Sequence, residues 1–235
     1  MSPEGSADAH AHDCGCGHDH AHLRGGHDHA HDHGCGCGHD HDCAGDHDCA
    51  GEKNRLGRSE IIELTPRVGM RYLMAMPHVC TVGVADALVA AGLANAALGW
   101  PWQVVDAASG EVLAQVATHA GYADGAVRVA CAVDLADACQ AVDAGRLREG
   151  LLARLEMWES AVEAGHAAAG PVAPILSEMF DRMPLLGHVV EVVRPDGSVA
   201  VTGTFSGLDV WGRAIVVVDG KELTVAPELA RLREA

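Results

Sequence analysis

The stretch Cys14–His20 reads CGCGHDH, and Cys35–His41 repeats it letter for letter. A shorter repeat, HDCAG, stands at His41–Gly45 and again at His47–Gly51. Leu23 is the lone large aliphatic residue between Met1 and Glu52, and no aromatic residue occurs there. Such a segment cannot bury enough apolar surface to offset the entropy of ordering its backbone. The repeats therefore confine any packed core to residues 53–235 and predict a disordered tail over residues 1–52.

The tail concentrates metal-binding side chains. It holds twelve of the sixteen His and six of the nine Cys. The candidate ligands are His10, His12, Cys14, Cys16, His18, His20, His22, His27, His29, His31, His33, Cys35, Cys37, His39, His41, Cys43, His47 and Cys49. Imidazole and thiolate together suit Zn²⁺, Ni²⁺, Co²⁺ or Cu better than Mg²⁺ or Ca²⁺, with Zn²⁺ or Ni²⁺ the expected ions. Gly15, Gly17, Gly36 and Gly38 let the backbone bend around an ion. The interleaved Asp can accept the second ring N–H of a ligating His and so orient it. Cys-x-Cys pairs are poor disulfide partners and good chelators, and in a reducing cytosol the metal reading prevails. The spacing differs from that of a structural zinc module, so several exchangeable sites of mixed ligands are expected.

The formal net charge is −17. Nine Asp and two Glu against one Arg place −10 of it in the tail. This balance argues against a nucleic-acid groove. No run of apolar residues long enough to span a membrane is apparent, and no basic-then-apolar leader opens the chain. The expected compartment is the cytoplasm, with neither membrane nor nucleic acid as a partner.

Residues 53–235 carry the periods of packed structure. Val68–Met76 reads as a strand. Thr81–Leu93 reads as a helix with Val82, Ala85, Leu88 and Val89 on one face, and Gly92 is placed to stop it. Strands are expected at Trp102–Asp106, Val112–Thr118 and Ala126–Val133, with turns at Ala107–Gly110 and Tyr122–Gly125. Leu147–Val162 is an amphipathic helix, and Pro171 opens another that carries Ile175, Leu176, Met179 and Phe180. From His188 onward, short strands joined by Asp-Gly turns predict a small β-barrel. The class is α+β. Cys80, Cys131 and Cys139 sit in apolar runs and read as small buried hydrophobes. His78, His119, His166 and His188 lack ligand spacing and read as structural or surface residues.

The order of these stretches resembles the biotin protein ligase and lipoate ligase family over nearly all of residues 53–235. Arg55-Leu56-Gly57-Arg58 looks like the second half of the family's Gly-Arg-rich phosphate and biotin loop. Thr65-Pro66-Arg67-Val68-Gly69-Met70-Arg71-Tyr72-Leu73 is similar to the segment after it. Trp100-Pro101 stands where the family has Lys-Trp-Pro-Asn-Asp, and Leu113-Ala114 where it has Lys-Leu-Ala-Gly. Gly203–Gly220 and Ala226–Arg233 resemble its SH3-like C-terminal module. The resemblance implies a ligase-type mixed sheet with helices over residues 53–183, followed by an SH3-like barrel over 184–235. It also implies a site for biotin, ATP and Mg²⁺ at Lys53, Arg55, Gly57, Arg58 and Trp100, and a carboxylase biotin-carrier domain as acceptor.

Against that pattern, Gly99 and Val112 stand where the family has its two lysines. Gln115 replaces a glycine, and Ala130-Cys131-Ala132-Val133-Asp134 replaces the Gly-x-Gly-Ile-Asn strand. The Thr-Asn stretch that handles substrate has the His/Cys tail in its place. Forming an acyl-adenylate brings a carboxylate against a phosphate, and cations in a dry site must hold the two anions together. The sequence therefore predicts a ligase-like protein without ligase chemistry, its tail making it a metal buffer, a chaperone for a metalloenzyme client, or a metal-responsive partner. The alternatives are a working biotin–carboxyl-carrier ligase and a metal-delivery protein whose ligase likeness is only architectural.

Overall fold

Two antiparallel five-stranded sheets contain all the strands of this computed structural model, which describes residues 56–123, 125–139 and 141–235. The tail, with its expected disorder and every candidate metal ligand, lies outside the described residues, as do Lys53 and Arg55. The described residues form one compact unit.

The first sheet has the order β1-β5-β4-β3-β2. Its strands are β1 (Leu56–Leu64), β2 (Ala96–Gly99), β3 (Gln103–Asp106), β4 (Val112–Ala123) and β5 (Ala126–Ala136). β4 and β5 form the expected hairpin, but β4 runs on to Ala123, past its expected end at Thr118, so Tyr122 pairs with Val127 instead of opening the turn. The sequence reading has no strand at β1, where it places a phosphate loop. The period is nonetheless present: Ile62 and Leu64 are buried, whereas Ser59, Ile61 and Glu63 face outward.

α1 (Met76–Ala90) covers one face of this sheet and is itself covered by α2 (Ala144–Glu163). Squeezed between two layers, α1 is buried on nearly every side. A helix that is apolar all round is stable only in such a position. The expected strand at Val68–Met76 is a correction: Met70–Ala75 is a 3₁₀ helix that runs straight into α1. Pro77 sits in the first turn of α1, where its missing N–H is harmless. Val89, expected on the buried face, is exposed. Met70–Ala90 is long and apolar enough to cross a membrane, and two-thirds of it is buried inside the fold. Gly83 and Gly150 mark the crossing of α1 and α2. A Cβ on Gly150 would stand 2.7 Å from the Gly83 carbonyl oxygen, so only glycine lets the helices come this close.

α2 is the expected amphipathic helix, capped by Asp143, whose carboxylate accepts from the Arg146 backbone N–H at 2.8 Å. Its buried face carries Leu147, Leu151, Leu155 and Trp158. Trp158 donates its indole N–H to the Pro171 carbonyl at 3.0 Å. The helix expected from Pro171 is broken. Pro174 opens a 3₁₀ turn at Ala173–Ile175, and α3 (Leu176–Asp181) follows. Arg154, on the buried face of α2, binds Asp86 of α1 and Glu178 of α3. Cys80, Cys131 and Cys139 are buried, as expected. The neighbouring Cys131 and burial both raise the Cys80 pKa, which keeps that thiol protonated and inert.

The second sheet has the order β10-β6-β7-β8-β9, a meander whose last strand returns beside the first. Its strands are β6 (Val189–Val193), β7 (Val199–Leu208), β8 (Ala214–Val218), β9 (Lys221–Val225) and β10 (Arg231–Glu234). The two sheets are stitched together at Trp100. Its indole N–H donates to the Gly212 carbonyl at 2.9 Å, and its own carbonyl accepts from the Leu232 N–H at 3.5 Å.

His119, His166 and His188 are exposed, whereas His78 on α1 is 1 % exposed. Burial lowers its pKa from 6.5 to about 4, with Asp209 pulling the other way. Acid therefore protonates the unfolded imidazole before the folded one. Stability is complete above about pH 6.5 and falls as the pH drops toward 4, with about 2 kcal/mol gone by pH 5. Urea midpoints at pH 7 and pH 5 check this. The chain should lose more stability between them than a His78→Gln variant does.

Candidate active site

The face of the first sheet opposite α1 is open. Along it the strand registers align one polar row: Ser59 beside Asp134, Asp134 beside Gln115, Gln115 beside Gln103, and Gln103 beside Gly99. Gly99, Gln115 and Asp134 come from three separate stretches of the chain, and each departs from the ligase pattern. The fold assembles them into a single line.

At the Gly99 end of the row a cavity of about 570 Å³ opens between the first sheet and β10. Gly99 and Val112, the two positions where the resemblance calls for lysine, both line it. Trp100 and Gln103 lie alongside. One wall is the turn after β3, held rigid by the Asp106 carboxylate, which accepts from the Ser109 and Ala108 backbone N–H groups at 2.9 Å each. Those bonds, the Ser109 one foremost, hold the Asp106 pKa below its usual value.

The other wall brings Arg231, Arg233 and Glu234 from β10. Arg233 is paired with Glu191 across β6. Arg231 is exposed and has no ion-pair partner among the described residues. The sequence reading passes over both arginines. Their only signal is alternation with Leu232, which turns them to one side of a four-residue strand.

The expected cofactor residues scatter. Trp100 lines the cavity, but its N–H is spent on Gly212. Arg58 lies on β1 one residue from Ser59 and so points to the opposite face. There it donates to the Val142 carbonyl and stands 3.2 Å from Glu60. Gly57 packs on Asp137, whose Oδ1 would lie 2.1 Å from any Cβ added there. Chemically the site offers an apolar floor, two amides, one carboxylate on the row and two arginines at the far wall. No cation stands on the row itself.

No protein-family model matches the chain, and a search of curated proteins finds no match. Solved structures do match. The apo structure of biotin protein ligase from Aquifex aeolicus superposes with a TM-score of 0.53 and 16% identity, over 75% of this chain and 82% of that one. The same organism's biotin protein ligase in complex with biotin and ATP gives a TM-score of 0.54 and 17% identity, over 77% and 84%. The described part of the chain thus has a biotin protein ligase-like fold, in a strongly divergent sequence.

Proposed function

We propose that this protein is a ligase-fold protein without ligase chemistry, whose tail binds Zn²⁺ or Ni²⁺ and makes it a metal buffer, a chaperone for a metalloenzyme client, or a metal-responsive partner. The observation that carries this reading is Gly99 and Val112 on the wall of one cavity. The two charges that would hold carboxylate against phosphate are absent from the place where the fold would use them. Twelve His and six Cys in the tail supply the other half of the reading.

The metal half has a direct test. The full chain and a variant lacking residues 1–52 are titrated with Zn²⁺ and Ni²⁺. The full chain takes up several ions and the variant few. Uptake weakens as the pH falls, because thiolate and imidazole ligands must shed protons. The shortened variant keeps a cooperative thermal transition in metal-free buffer, since the apolar core of the described residues spans Ile62 to Leu232 and the tail has almost no large apolar side chains to add. Unchanged metal capacity in the variant would sink the proposal.

A second reading, a working biotin–carboxyl-carrier ligase using ATP and Mg²⁺, is favoured by one observation. Arg231 and Arg233 bring positive charge to the cavity from β10.

A further inference from the structure

A second cavity, of about 680 Å³, lies between the start of α1 and the loops of the second sheet. Its walls are largely apolar, with Leu73, Met74, Pro77 and Trp211 among them. Three buried side-chain polar atoms among the described residues have no hydrogen-bond partner, and two of them belong to residues that line this cavity: His78 Nδ1 and Trp102 Nε1. An unsatisfied buried polar atom costs about 1–3 kcal/mol, so two at one cavity need an explanation.

The two rings are held in place. They meet edge to face with centroids 6.3 Å apart. A Cβ on Gly212 would stand 2.1 Å from His78 Nε2, so the backbone there packs directly on the imidazole. Gly212 is anchored in turn by the Trp100 indole. Its φ of 82° and this close approach both require glycine. His78 therefore cannot swing away to find another partner.

We propose that this cavity binds a small, flat, uncharged molecule with a cis-amide edge, such as a lactam or pyridone, its carbonyl accepting from Trp102 Nε1 and its N–H donating to His78 Nδ1. An indole N–H can only donate, whereas a neutral imidazole offers one accepting nitrogen. A cis-amide presents acceptor and donor side by side and satisfies both. The volume suits a ligand of this class. A carboxylate is disfavoured, because Arg213, the cation at the cavity, is already bound to Asp209 at 2.6 Å. Met74 and Trp211, 62% and 42% exposed, are the side chains at the cavity that give way on entry, which must uncover His78 Nδ1 and Trp102 Nε1, both shut off from solvent. The inference is independent of the metal tail and of the first cavity.

The test is NMR of the full chain labelled with ¹⁵N-tryptophan, which reports four indole N–H groups. The probes are 2-piperidone and 2-pyridone, with toluene as a control of similar shape. The Trp102 signal should shift saturably with both amides, while Trp100 and Trp158, already bonded to Gly212 and Pro171, stay in place. His78→Phe should weaken binding about tenfold, the value of one hydrogen bond. Should that variant fail to fold, Trp102→Phe read by calorimetry serves instead. No saturable shift at the solubility limit of either amide, or toluene binding as tightly as they do, would overturn the proposal.

Discussion

Single-turnover assays with biotin, ATP, Mg²⁺ and an apo carboxyl-carrier domain should give no transfer above a no-enzyme control, with or without Zn²⁺. Losing one electrostatic donor at a reacting centre costs on the order of 3–4 kcal/mol of transition-state stabilisation. Two such losses correspond to a rate lower by roughly four to six orders of magnitude. Asp134 on the same row as Gly99 adds a carboxylate rather than a cation. Nucleotide bound weakly by Arg231 would not change this, because uniform binding does not accelerate chemistry. Restoring one lysine should not rescue the reaction either. A Cβ at position 99 would meet Val105 Cγ1 at 3.0 Å and Gln103 Cβ at 3.3 Å, so Gly99→Lys first has to displace its neighbours. Transfer well above the control, abolished by Arg231→Ala or Arg58→Ala, would replace this reading with the working ligase.

Arg154→Leu should destabilise the chain by about 3 kcal/mol, the lower end of the cost of breaking a buried ion pair from one side. The Arg154 side chain is 9% exposed and bridges α1 to α3. It donates to Asp86 at 2.6 Å and to Glu178 at 2.5 Å. Burial by itself would lower the arginine pKa. The two carboxylates outweigh it and raise the value, so the charge is firmly held. In the variant Asp86 and Glu178 keep only Arg182, which lies 2.6 Å and 3.2 Å from them. Both carboxylates are about a third exposed, and water offsets part of the loss. Arg233→Ala, which breaks a more exposed pair on the second sheet, should cost less than about 1 kcal/mol. Urea denaturation of the two variants separates these values, and equal midpoints would refute the assignment.

Where an element is set by its own period, the sequence shows it. The amphipathic stripe of α2 needs only its own residues, and so does the β4–β5 hairpin with Gly125 in its turn. α1 is different. Buried on two sides, it has no polar face to mark where it begins, and the apolar stretch before it fits a strand as well as a helix. β2 and β10 are four-residue strands, too short to show a period. β1 carries charged side chains that look like a loop until β5 pairs with it.

The site divides along the same line. That residues 99 and 112 are not lysine is legible as letters in the sequence. That both face one cavity, with Gly99 in line with Gln115 and Asp134, depends on the registers of three ladders. The side on which Arg58 lies follows from pleat alternation alone, once β1 is known to be a strand. The Arg231 and Arg233 wall exists only because the second sheet packs back onto the first, whereas the His78–Trp102 pair forms where α1 meets the first sheet, with Gly212 of the second sheet pressed against it. Composition by itself decides the metal-ligand content of the tail, since ligand chemistry resides in single side chains. Tertiary structure decides which buried polar atoms are left without partners, because that depends on what every other part of the chain brings near them.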